Sequence, residues 1–372
     1  MAERLRVGLI GRTGKGSYGH GIDTVWADIP GTEIVAVADE HEAGRRDAQK
    51  RTKAATAYAD YREMLDKERL NIVAIGPRWI DQHRDMALAA ADHGCHVYME
   101  KPFVPTPALA DEVIRAFEMR HLKLALAHQT RYSPTAILAR RLIEEGHIGD
   151  VLELRGRGKE DQRGGGEDLW VLGSHVLDLM RFVAGDALDC YATVTTGGRP
   201  IGAGDIVEGN EGLGLLAGDT IHARYTFRNG VVGSFSTVRG KGGNPSRFGL
   251  QIFGSRGVLE IGTGYPAPVW LLKDPGWSPG RGKATWLPVT SNGIGQVETI
   301  TNGGLHAGNV AAVEDLLDAI QTDRQPGCSM YDGRAVVEMI AAVYASQRDG
   351  KPVSLPLVER TNPLAALKAG RQ

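Results

Sequence analysis

Apolar positions follow two different patterns along this chain. In the first third they form short continuous runs at 5–10, 32–38, 71–77, 96–100 and 123–127, with helical stretches between them. Runs of that length, bounded by Gly and Pro and alternating with helices, predict a parallel sheet covered on both faces. The intervening helices are expected at about 81–93, which is alanine-rich, and at about 107–120. A further amphipathic helix is expected at 135–146, closed by Gly146. From Val151 onward the period changes to two. Segments 151–159, 191–195, 220–227, 231–238 and 248–253 alternate as strands of an open, mostly antiparallel sheet, with Asn229-Gly230 as a hairpin turn between two of them. One helix, 168–180, interrupts these strands, and a late helix is expected at about 306–322. The fold class is therefore α/β, divided into residues 1–127 and 128–372.

The first strand runs straight into a glycine-rich loop, Gly11-Arg12-Thr13-Gly14-Lys15-Gly16-Ser17-Tyr18-Gly19-His20. Gly14, Gly16 and Gly19 have the spacing of a dinucleotide fingerprint, in which glycines let backbone amides at a helix N-terminus approach a pyrophosphate. In this register Gly11-Arg12-Thr13 is extra loop and a helical stretch continues to Ile29. Counted from the strand instead, Gly11 is the first glycine and Thr13 replaces the second. The next strand ends at Asp39, twenty residues past Gly19, the separation at which an acid binds the adenosine ribose hydroxyls. A carboxylate there repels a 2′-phosphate, so NAD is expected in preference to NADP. Residues 1–127 read as a dinucleotide-binding Rossmann domain.

Composition narrows the class. Apolar residues make up 42% and charged residues 24% of 372, enough for two ordinary cores. A net charge of -2 gives no reason to expect nucleic acid or an anionic membrane. Three widely spaced cysteines, Cys95, Cys190 and Cys328, suit buried thiols in a reducing compartment and have no metal-ligand spacing. The stretch 1–6 has no signal-peptide core, and no apolar run reaches membrane-spanning length. A cytoplasmic protein without a bound metal is expected.

Several polar residues sit where ligands gather. Pro77, Arg78 and Trp79 follow the third long strand at its carboxyl end. His83 and His93 flank the alanine-rich helix and read as structural. Glu100-Lys101-Pro102 ends the fourth, and two readings fit Lys101: a cation facing a ligand, or a solvated lysine at a strand end. Arg131 and Tyr132 leave the last strand of the domain as candidates for substrate contact, with ion pairing as the alternative. Asp161 and Arg163, in a loop, can bind hydroxyls or an acidic group. At helical spacing Asp168, His175 and Asp178 share one face of the interrupting helix, beside the apolar stripe Leu172, Val176, Leu179 and Val183. His175 there either shuttles protons or is a hydrogen-bonded core histidine. His306 and Asn309 open the late helix, where capping and packing explain them equally well.

Taken together, the glycine loop, Asp39, Glu100-Lys101-Pro102, Gly173-Ser174-His175-Val176-Leu177-Asp178, Gly254-Ser255-Arg256-Gly257 and the late helix follow one order. That order resembles the glucose-fructose oxidoreductase, inositol dehydrogenase and MocA family over nearly the whole chain. The resemblance implies an N-terminal Rossmann domain that binds the nicotinamide cofactor through the loop glycines, Asp39 and the strand-end residues, including Glu100. It implies a C-terminal α/β domain whose open sheet forms a homodimer or homotetramer. It also implies hydride transfer between nicotinamide and a hydroxyl-bearing carbon of a sugar or cyclitol. Lys101 matches the family lysine that hydrogen-bonds the reacting hydroxyl, and His175 matches the histidine acting as acid or base. Where the family usually has an aspartate four residues before this histidine, the chain has Val171. Asp178 is the first candidate to replace that acid, followed by Asp168, Glu160, Asp161 and Glu167. Two other functions fit the same motifs: glycoside cleavage by transient oxidation and elimination, and a non-catalytic nucleotide-bound sensor.

Overall fold

The computed structural model describes residues 4–370; positions 1–3, part of the stretch scanned above for a signal peptide, and 371–372 lie outside the described residues. The chain forms two compact units. The first runs through Gln129 and takes in Asn210–Gly214 and Leu305–Arg334; the second holds Thr130–Gly209, Leu215–Gly304 and the sequence from Ala335 on. Two stretches from beyond residue 127 thus fold with the first unit, where a simple division at that point expects none.

The first unit is built on six strands: β1 (Leu5–Ile10), β2 (Thr32–Ala38), β3 (Thr56–Tyr58), β4 (Ile72–Ile75), β5 (His96–Met99) and β6 (Leu124–Leu126). They pair in parallel in the order β3-β2-β1-β4-β5-β6. The order reverses between β1 and β4, so the carboxyl ends of these strands form the crevice where such sheets take ligands. The alanine-rich helix His83–Asp92 buries Ala87, Ala90 and Ala91 completely, and small residues there allow close packing. Pro107–Glu118 begins at a Thr106 cap whose hydroxyl accepts from the Leu109 amide, with proline in the first turn, where its missing N–H costs nothing.

The helix expected after the glycine loop is absent. Turns closed by an antiparallel bridge between Arg12 and Ser17 take its place, followed only by the short 3-10 helix Val25–Asp28. The backbone explains the difference: Gly14, Gly16, Ser17, Gly19 and Gly21 all have positive φ, which no right-handed helix tolerates.

Late in the chain, the helix Leu305–Gln321 returns to the first unit through Asn309, which is fully buried. Its Oδ1 accepts from Tyr98 Oη at 2.8 Å and from Gln129 Nε2 at 2.8 Å, while its Nδ2 donates to the His20 carbonyl at 2.9 Å. One amide thereby ties β5, the end of β6 and the glycine loop together.

In the second unit an eleven-stranded sheet is antiparallel throughout except where Val232–Val238 runs parallel to Val151–Arg157. Strands appear where period two placed them, at Val151–Arg157, Ala187–Thr196, Thr220–Phe227, Val232–Val238 and Gly249–Gly254. Asn229 and Gly230 turn with φ of 62° and 77°. The interrupting helix is two helices, Gly166–Val171 and Gly173–Ala184, broken at Leu172. Glycine at 173 weakens helix continuity, and the Phe235 ring stands where a side chain there would lie. Val176, Leu179 and Met180 are completely buried, with Gly156 leaving room for Val176 and Met180.

Asn309→Ala removes the acceptor of two buried donors and should cost about 1–3 kcal/mol of stability. Urea unfolding measures it; a loss below about 0.5 kcal/mol would mean that the amide is not the tie described.

Candidate active site

At the carboxyl end of β5, Glu100 is completely buried and Lys101 is 6% exposed, which rules out the reading of Lys101 as a solvated strand-end lysine. Glu100 Oε1 accepts from the His20 amide at 2.9 Å and lies 2.5 Å from His20 Nδ1; Oε2 accepts from the Lys101 amide at 2.9 Å. Burial by itself pushes this carboxyl up, but the hydrogen bonds and charge of His20 and the Lys101 ammonium outweigh it and hold it below the usual carboxylate range. Gly19, at φ +61°, lies against Glu100, whose Cγ would be 2.5 Å from any Cβ added there. Beneath the strand end, His83 is buried, which lowers its value; its ring meets the carbonyls of Pro77 at 2.8 Å and Phe103 at 2.9 Å. Its expected structural role is what the contacts show.

The glycine loop differs from the preferred 14/16/19 register. Gly16 packs on the Arg78 backbone and Gly19 on Glu100, while Gly14 faces open space. None of the three borders the pocket of about 260 Å³ at the carboxyl ends of β1 and β2, which Gly11, Arg12, Asp39, Glu40, Tyr61 and Arg62 help to line. Gly11, which does line it, packs so closely on Tyr18 that an added Cβ would fall within the ring. Asp39 is 2% exposed and accepts from Thr13 Oγ1 at 2.7 Å and from the amides of Thr13 and His41. The Arg12 guanidinium is held by both oxygens of Asp81, at 2.8 and 2.9 Å. With Asp39 and Glu40 on its wall and Arg12 already neutralised, the pocket suits ribose hydroxyls and disfavours a 2′-phosphate. Near the loop, Lys15 Nζ sits 3.8 Å above the Trp79 ring, and Arg78 reaches Glu211 at 3.8 Å.

In the second unit the expected acids have structural partners. Asp178 is 1% exposed and takes Arg131 on both oxygens, Nη2 at 2.6 Å and Nε at 3.1 Å. Arg131, a candidate for substrate contact, and Asp178, the first candidate acid, thus form an ion pair with each other. Asp168 is completely buried and accepts from the Thr237 hydroxyl and the amides of Lys159 and Glu160. Burial raises its carboxyl, and the helix is interrupted at Leu172, between it and His175. Glu160, 1% exposed, is bound by Arg157 and Arg247. Asp161 pairs with Arg163 at 2.6 Å, which holds its carboxyl down at about 2. Tyr132 ends the 3-10 turn Gln129–Tyr132. His175 is half-buried and outside the sheet-facing set, and Val171 is buried. His306 is exposed beside Asp28, 2.7 Å away.

Sequence reasoning missed His20 and underrated Asn309. No periodicity marks a histidine in a glycine loop. The one available signal was its place directly after Gly19, within reach of whatever the strand ends present.

The doubly wound parallel sheet, the acid-walled pocket at its carboxyl ends and the buried lysine at a strand end are the features of a nucleotide-binding fold of the oxidoreductase class. The chain belongs to the oxidoreductase family of glucose-fructose oxidoreductase, inositol dehydrogenase and MocA: residues 5–128 match its NAD-binding Rossmann fold and residues 140–355 its C-terminal alpha/beta domain. It is similar to levoglucosan dehydrogenase of Pseudarthrobacter phenanthrenivorans, 26% identical over 62% of this chain and 65% of that protein. D-apiose dehydrogenase of Paraburkholderia graminis is 24% identical over 91% of this chain and 87% of the relative. A solved structure of levoglucosan dehydrogenase with NADH and levoglucosan superposes with a TM-score of 0.77 at 21% identity, over 95% of this chain and all of that one.

Asp39→Ala should narrow the preference for NAD over NADP by about tenfold, roughly 1.4 kcal/mol. Calorimetric titration of both nucleotides measures it; equal binding of the two by the unaltered protein would remove the ribose role from Asp39. For Glu100 the folded value lies below the unfolded one, so its stabilisation is complete above the unfolded value, about 4.3, and is lost as pH falls through the folded value. Glu100→Gln should lower stability near pH 7 by about 2–3 kcal/mol and flatten the acid limb of the stability curve. Superimposable acid limbs for the two proteins would contradict it.

Proposed function

We propose that this protein is an NAD-dependent dehydrogenase of sugars or cyclitols that interconverts a hydroxyl-bearing carbon and the corresponding carbonyl: a secondary alcohol and its ketone, or a lactol and its lactone. The observation that carries this reading is Lys101: a nearly buried ammonium following a buried, ionised glutamate at the carboxyl end of β5. Asp39 and Glu40, with Gly11 and Arg12, would hold the adenosine side of NAD in the pocket they line. When bound, NAD supplies the hydride acceptor. Lys101 stabilises the alkoxide that develops as the hydroxyl loses its proton, since a fixed cation in a dry site is worth far more than in water. His175 is assigned as an acid–base group from its family match and its half-buried position. The carbohydrate class follows from the relatives, which include levoglucosan, D-apiose and inositol 2-dehydrogenases.

The same reading places the protein in the cytoplasm, in keeping with three buried, free cysteines. Among the described residues no helix is long and apolar enough to cross a membrane. It also assembles the protein as a homodimer or homotetramer through the open sheet, where Tyr191 and Trp270 are 44% and 42% exposed.

A panel of levoglucosan, D-apiose, D-glucose and myo-inositol at fixed NAD, followed by NADH absorbance and product analysis, tests the function. At least one member should give NADH in proportion to oxidised product. Turnover without net NADH would indicate transient oxidation, and no turnover with any member would count against the assignment. Lys101→Met should reduce kcat by about 10²–10³-fold with NADH affinity little changed. A kcat within about threefold of the unaltered enzyme would remove Lys101 from the chemistry.

A further inference from the structure

We propose that Asp81 keeps this protein selective for NAD over NADP by holding the Arg12 guanidinium, an inference that rests on the NAD-dependent reading above. The pocket at the carboxyl ends of β1 and β2 is walled by the acids Asp39, Glu40 and Asp60 and by the cations Arg12 and Arg62. A 2′-phosphate brings up to about two negative charges into that space where NAD has a hydroxyl, so its binding depends on whether either arginine is free to meet it. Arg62 lies 4.5 Å from the centre of the Tyr61 ring, with Asp60 Oδ1 3.9 Å from its Nη1, and is well exposed. Water screens a cation in that position. Arg12 is different: its side chain is only 13% exposed, so its charge acts at close range on whatever fills the pocket.

Both carboxylate oxygens of Asp81 accept from Arg12 Nη1, at 2.8 and 2.9 Å. Glu40 Oε1 lies 3.5 Å from Arg12 Nε, which is buried and has no hydrogen-bond partner among the described residues. While Asp81 stays in place the guanidinium therefore adds little net positive charge to the pocket, yet it keeps donors that a phosphate can use. Asp81 is held firmly. It sits in the short 3-10 turn Ile80–Gln82, anchored by Ile80, which has no exposure, and Gly212 packs against it from the stretch Asn210–Gly214. A Cβ at Gly212, where φ is +68°, would stand 2.8 Å from Asp81 Cβ and 2.9 Å from its amide nitrogen, so the two segments meet at close range. This contact gives the stretch Asn210–Gly214 a role in the first unit: it backs the acid that neutralises Arg12.

Asp39 and Asp81 divide the discrimination. Asp39 repels a 2′-phosphate by its own charge, and the Thr13 hydroxyl and the His41 amide fix it there. Asp81 is not on the pocket wall and acts through Arg12, which makes it a positioning residue rather than a nucleotide ligand. With Asp81 gone, the Arg12 fork is released to turn onto phosphate oxygens in a bidentate contact, which the ribose hydroxyls of NAD cannot match. The Asp81 side chain is 40% exposed, so its truncation leaves no buried cavity.

Calorimetric titration of the full chain with NAD and with NADP tests the proposal. Asp81→Ala should tighten NADP binding by about tenfold and leave NAD binding within about threefold. Asp81→Asn, which keeps an acceptor for Arg12 without the charge, should give a smaller gain. Loss of a merely structural residue weakens binding of both nucleotides and does not strengthen one of them. The double variant Arg12→Ala, Asp81→Ala, released from Asp81 but lacking the guanidinium, should bind NADP within about twofold of Arg12→Ala alone. An NADP affinity for Asp81→Ala within about threefold of the unaltered protein overturns the proposal. So does a gain that persists in the Arg12→Ala background, because repulsion by Asp81 itself would then be its cause. In both cases NAD binding by the unaltered protein leaves the NAD-dependent reading standing, whereas failure of the unaltered protein to bind either nucleotide overturns both.

Discussion

A single buried negative charge organises the first unit. Glu100 has no exposed surface, and an isolated carboxylate in that position would cost several kcal/mol unless it were protonated or paired. It stays ionised because His20 and the Lys101 amide supply three hydrogen-bond contacts and the Lys101 ammonium lies next in sequence. The requirement propagates outward. Gly19 must be glycine to let the loop reach the carboxylate, and the loop must forgo a helix to present His20. Asn309 then locks the His20 carbonyl to Tyr98 and Gln129, which explains why a stretch from late in the chain folds with the first unit.

The second unit handles its carboxylates differently. Asp178, Asp168 and Glu160 are as buried as Glu100, yet each is consumed by a structural partner: Arg131, Thr237 with two amides, and the Arg157–Arg247 pair. Such pairs anchor helix to strand and strand to loop.

Much of the architecture was legible in the residues. Short apolar runs of four to seven residues marked β1, β2, β4 and β5, and the change to period two at Val151 marked the second sheet, because burial on two faces or one dictates those patterns. Lys101 was legible only as a position: that it is buried depends on Glu100 and on the chain folded over the strand end. Three things were hidden for identifiable reasons. The glycine register followed spacing, whereas the fold depends on which glycine meets Tyr18 and which meets Glu100. The break at Leu172 reflects a tertiary contact of Gly173 with Phe235, invisible to helical periodicity. His20 gave no signal because a loop histidine acquires meaning only from its neighbours in space.

The central claim is that the buried Glu100 carboxylate, bound to His20 of the glycine loop and to the Lys101 amide, sets Lys101 at a nucleotide seated along the carboxyl ends of the parallel strands. A crystal structure of the protein with NADH and a sugar tests it most directly. The account predicts adenosine ribose hydroxyls at Asp39, the nicotinamide over the ends of β4 and β5, and the sugar hydroxyl within hydrogen-bond distance, about 3 Å, of Lys101 Nζ. A nicotinamide seated away from these strand ends, or a sugar bound out of reach of Lys101, would contradict it.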